Sequence, residues 1–77
     1  MKEKIIDLLK DINPYEEFDE STDLLESQFL DSIGVLLLIE KLEDTFGVTI
    51  DLDKMQTEYF KNIDSISRYI NKLEEAK

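Results

Sequence analysis

The chain has 77 residues, 42% of them hydrophobic and 36% charged, which suits one globular, soluble domain with one small core and argues against a disordered chain. Nineteen acidic residues against nine basic ones give a formal net charge of −10, and that excludes nucleic acid as a natural partner, because phosphates demand a basic footprint. Cysteine and histidine are both absent, which removes disulfides, thiol nucleophiles, thiolate metal sites, the usual general base and the commonest transition-metal ligand.

No apolar run approaches the roughly 20 residues that cross a bilayer, and no charged-then-apolar leader opens the chain. The expectation is a cytoplasmic, monomeric single domain over residues 1–77 with no membrane span. The acidic surplus suits a partner protein lined with Lys and Arg, whose encounter it would steer. It equally suits a small domain that simply stays soluble.

Along the chain, Ile5, Leu8, Leu9 and Ile12 recur at i, i+3, i+4, i+7 and predict an amphipathic helix over Lys2–Ile12. Asn13-Pro14 ends it, since the residue before proline is pushed out of the helical region. Residues 14–30 have no sustained period and form a long first loop, a kind that is often functional. Within it, Asp23-Leu24-Leu25-Glu26 has the spacing of a capped single turn. Leu24, Leu25, Phe29 and Leu30 should pin that loop to the core.

A second, long helix opens at Asp31-Ser32, both residue types that accept hydrogen bonds from a free first turn. Its aligned peptide dipoles leave partial positive charge at that end, a ready place for a carboxylate or a phosphate. Ser32 is thus a hydroxyl where phosphate is welcome, although capping is the commoner role of such a pair. At about 100° per residue, Val35, Leu38, Ile39, Leu42 and Phe46 share roughly one third of the circumference and form the core face. Glu40, Lys41, Glu43 and Asp44 lie off it and should be wet. Ile33 and Leu37 lie nearly opposite the core, with Leu36 on the flank. Packing on the preceding loop is the plain expectation for Ile33, and partner contact is the expectation for Leu37, because small exposed apolar patches mark contact sites. Gly47 reads as the left-handed residue that ends this helix.

Val48, Ile50 and Leu52 alternate with polar residues, but no other segment offers a strand to pair with, so an extended loop laid over the core is expected. A short helix follows around Gln56–Lys61, anchored by Met55, Tyr59 and Phe60. Asn62 is a good cap, and Ile66, Tyr69, Ile70 and Leu73 place the last helix over Ile63–Glu74. The acidic side chains are too dispersed on solvated faces for paired-acid catalysis. Asp51, Asp53 and Glu58 lack the 12-residue calcium-loop pattern, so no metal site and no catalytic residues are expected.

Leu24-Leu25-Glu26-Ser27-Gln28-Phe29-Leu30-Asp31-Ser32-Ile33-Gly34 resembles the attachment-site region of the acyl carrier protein family. The resemblance implies an all-α fold, a small bundle of three main helices plus one short helix with a long first loop. It implies that Ser32 carries 4′-phosphopantetheine through a phosphodiester, with Asp31 beside it in the motif, and that the arm's thiol holds cargo as a thioester. It implies a carrier rather than an enzyme. The implied partners are a phosphopantetheinyl transferase, an acyl- or aminoacyl-loading ligase and acyl-transfer enzymes with basic docking surfaces, meeting Ile33, Leu36, Leu37 and Glu40. Gly34 and Leu37 stand where fatty-acid carriers usually have acids, and Asp-Ser-Ile-Gly with Phe46-Gly47-Val48 is more similar to the D-alanyl carrier branch that serves teichoic acid modification. Gln28 stands where either branch often has glycine, which matters for any loop geometry needing a positive φ. The alternative from another class is an unmodified acidic interaction module whose Leu36/Leu37 patch binds a partner helix or groove.

Overall fold

The computed structural model describes residues 1–76, and among them the regular elements are three α-helices and one 3₁₀ turn, in the order α1 (Lys2–Ile12), α2 (Ser32–Phe46), the 3₁₀ turn (Thr57–Phe60) and α3 (Ile63–Glu75). The all-helical architecture and the long first loop are therefore as expected, and residues 48–50 run over the core without regular structure. Helix α1 packs against both α2 and α3, and α3 also packs on the 3₁₀ turn. The shared interior is built from the apolar stripes of each helix: Ile5 and Leu9 of α1, Leu38, Ile39 and Leu42 of α2, and Ile63, Ile66 and Ile70 of α3 are all buried. Phe60 of the 3₁₀ turn is fully enclosed among them and meets Tyr69 edge-on, while Tyr59 stacks on Tyr69 with centroids 4.4 Å apart. Burial of the Tyr69 ring, with Tyr59, Asp51 and Glu43 nearby, raises its phenol above the ordinary tyrosine value.

The first loop is a structured strap. Asn13 leaves α1 at φ −140°, ψ 80°, outside the helical region, as the proline after it favours. The Asp19 carboxylate accepts from the Ser21 N–H, the Ser21 hydroxyl and the Thr22 hydroxyl, and these bonds, that of the Ser21 hydroxyl first, hold it below the usual carboxylate range. Asp23 accepts from the N–H groups of Leu25 and Glu26 at 3.0 and 2.9 Å, the capped turn that its spacing predicts. The Leu24 N–H donates to the Lys61 carbonyl at 2.7 Å and the Leu30 N–H to the Leu24 carbonyl at 2.9 Å. With Leu24, Phe29 and Leu30 buried, and Phe18 edge-on to Phe29 at 4.7 Å, the strap is tied to the junction between the 3₁₀ turn and α3 and leads the chain to Ser32.

Three expectations need correction. Lys41 and Glu43 are half-buried, not wet, and the Glu43 carboxylate accepts from the buried Ile50 N–H at 3.0 Å and holds the segment after α2 in place. Leu52 does not follow Val48 and Ile50 inward but is 56% exposed. A turn at Asp51–Lys54, closed by Lys54 N–H to the Asp51 carbonyl and Asp53 N–H to the Asp51 side chain, rotates it outward. Ile33 does not pack on the preceding loop and, at 69%, is more exposed than Leu36 or Leu37.

Candidate functional site

Helix α2 begins where the strap ends, and the local sequence accounts for its first turn. Asp31 is extended at the N-cap and its Oδ1 accepts from the Gly34 N–H at 2.7 Å, while its carbonyl accepts from the Val35 N–H at 2.9 Å. The N–H groups of Ser32 and Ile33 are left without a partner among the described residues. Two free donors at the positive end of a helix form an anion-binding feature. The first turn itself carries no acidic side chain, and the one carboxylate at this end is the capping Asp31, held on the Gly34 N–H.

Gly34 is buried at this corner, and a Cβ there would lie 3.2 Å from Asp31 Oδ1 and 3.5 Å from Leu30 Cδ2. The missing side chain lets the capping carboxylate and the strap close on the helix together. Four residues before Ser32, Gln28 takes φ 63° and is the non-glycine residue with positive φ among those described. The left-handed geometry is thus kept without glycine.

Ser32 itself is exposed, and its hydroxyl is engaged by no group among the described residues. It opens onto a depression of about 740 Å³ walled by Leu25, Leu30, Val35, Leu36 and Met55, with Gln28, Asp31 and Thr57 as its other polar side chains. On the other flank of α2, Ile33 (69% exposed), Leu36 (54%), Leu37 (43%) and Leu52 (56%) lie around a smaller hollow bordered by Glu40 and Glu43. The expected contact residues Ile33, Leu36, Leu37 and Glu40 therefore share one face. Leu52 joins them unforeseen; the only sequence signal was its apolar character beside a turn-forming Asp-Leu-Asp.

A family model described as the phosphopantetheine attachment site matches residues 3–70. The chain belongs to that family. A search of the curated proteins finds no match. The family attaches 4′-phosphopantetheine to a serine, and its carrier domains are non-catalytic and work with a phosphopantetheinyl transferase and partner enzymes. This protein is accordingly a phosphopantetheine-carrying carrier protein. The corner at the start of α2 fits that group: an accessible hydroxyl, two free N–H donors for a phosphodiester, and a depression with aliphatic walls and polar spots for an arm that joins a geminal dimethyl carbon and short methylene segments through amides. No helix among those described is long and apolar enough to cross a membrane. Asp51, Asp53 and Glu58 do not converge on a common point, and no cluster able to hold a metal ion occurs among the described residues.

Proposed function

We propose that Ser32 is the attachment residue and that the domain, residues 1–77, presents an acyl or aminoacyl thioester to partner enzymes. The observation that carries this is the free, exposed Ser32 hydroxyl at the N-terminus of α2 beside two unpartnered N–H groups. The other serines offer less. The Ser21 hydroxyl is committed to Asp19 and the buried Ser67 hydroxyl to the Met1 sulfur. Ser27 lies in a turn of the strap, outside any helix, and Ser65 is half-buried in the capped first turn of α3.

A chain without cysteine or histidine lacks thiol chemistry of its own, and the arm supplies the thiol when bound. The polypeptide contributes the anchor, the electrostatics of the helix end and the docking face, and tethering raises the cargo's effective concentration at a docked enzyme. Treatment with a broadly active phosphopantetheinyl transferase and coenzyme A is expected to add one arm by intact mass, and Ser32→Ala to add none. Wild-type protein that stays unmodified overturns the reading.

Two cargo classes follow from this reading, a fatty or polyketide acyl group and an aminoacyl group such as D-alanine, and the docking face sets which loading partners fit. The exposed face next to Ser32 is aliphatic at Ile33, Leu36 and Leu37, and acids enter only from Glu40 onward. Partners of this face would carry an apolar centre with a basic rim opposite Glu40 and Asp44. We place the work in the cytoplasm, on a monomer. ATP-dependent loading of the modified protein by a D-alanine-adenylating ligase, compared with loading by an acyl-transfer enzyme, separates an aminoacyl carrier from a fatty or polyketide one.

A further inference from the structure

We propose that the side-chain amide of Gln28 is a docking point for the pantetheine arm, pairing with an amide of the arm when it lies in the depression beside Ser32; this rests on Ser32 carrying the arm. Four observations converge on it. Gln28 holds φ 63°, a conformation that glycine adopts freely and a long side chain does not. Strain of that kind points to a site when the side chain it carries has somewhere to act. Gln28 does: it is exposed, its amide has no partner among the described residues, and it stands between the depression beside Ser32 and a smaller hollow bordered by Ile12, Phe29, Ile33 and Leu37.

Elimination sharpens the assignment. Four polar side chains line that depression: Gln28, Asp31, Ser32 and Thr57. Asp31 is committed to the Gly34 N–H, and its negative charge opposes a phosphodiester. Ser32 is consumed as the anchor. Thr57 offers a single hydroxyl. Gln28 alone presents a carbonyl acceptor and N–H donors together, the complement of a secondary amide. The aliphatic walls formed by Leu25, Leu30, Val35, Leu36 and Met55 would receive the arm's geminal methyl groups, which leaves its amides to the polar edge. Gln28 is thus a positioning residue: it gives the arm a resting place on the carrier from which a partner enzyme must draw it.

The test compares apo and holo forms of the wild type, Gln28→Gly and Gln28→Asn by NMR, with intact mass confirming the arm. In wild-type holo protein the Gln28 side-chain NH₂ resonances are expected to shift from their apo positions and to show cross-peaks to arm protons. In Gln28→Gly, which keeps the left-handed backbone, the arm resonances are expected to narrow toward those of free pantetheine. Gln28→Asn, with a shorter amide that still tolerates the left-handed region, is expected to retain part of the effect. Unchanged Gln28 resonances in a holo protein of confirmed mass, or arm resonances identical in wild type and Gln28→Gly, overturn the proposal while leaving the attachment reading intact. No mass gain on the wild type overturns both.

Discussion

At the residue scale the site is a set of hydrogen-bond assignments around one helix end. Asp31 takes one first-turn N–H and so decides which two remain for an anion. Loss of such a cap costs about 1 kcal/mol, so Asp31→Ala should lower the thermal midpoint of a domain this size by roughly 4–8 °C. Asp31→Asn keeps a capping oxygen and should stay within a few tenths of a kcal/mol. Gln28→Gly should act in the opposite direction, because it relieves a left-handed side chain at the expense of a freer unfolded chain. A gain of about 0.5–1 kcal/mol in urea unfolding of the apo form is expected. A loss of stability in Gln28→Gly would mean that the side chain contributes contacts beyond those seen.

At the element scale, α2 is read from both sides. Its inner stripe holds the core, and the segment after it is held by one carboxylate from its outer flank. Glu43→Ala strands the buried Ile50 N–H, which should cost about 1–3 kcal/mol in denaturant unfolding. Glu43→Gln keeps an acceptor and should recover much of that loss. The outer face of α2 behaves differently. Leu37 is 43% exposed, so Leu37→Glu should change stability by no more than about 0.5 kcal/mol. It should nevertheless lower kcat/KM for the loading enzyme acting on the holo protein. A variant that loses stability and loading together would identify Leu37 as a core residue instead.

At the scale of the whole molecule, the net charge of −10 is spread over a small surface with few compensating pairs. The ion pairs between described residues are Lys2 with Glu20 and Asp64, and Arg68 with Asp64, all on exposed side chains and individually weak. Self-repulsion is therefore screened by added salt. The thermal midpoint should rise between low and moderate ionic strength, and a flat response by calorimetry would show that the repulsion is already relieved within the fold. The same field favours rapid encounter with basic docking surfaces, an on-rate that should fall as salt is added.

Much of this protein was legible in one dimension because the relevant physics is local. Helical periodicity placed α1, α2 and α3 to within a residue of their observed ends, proline and Gly47 marked two of the stops, and Asp23, Asp31 and Asn62 capped what their chemistry said they would cap. The attachment-site resemblance rested on a contiguous run, and the family match over residues 3–70 agrees with it. What the tertiary structure alone decided depends on segments that meet across the fold. The tie from Leu24 to Lys61, the recruitment of Glu43 by Ile50, the outward turn of Leu52 and the exposure of Ile33 each reflect the path of a loop against a distant element. A helical wheel assigns faces to a helix, but it does not know which chain returns to cover them.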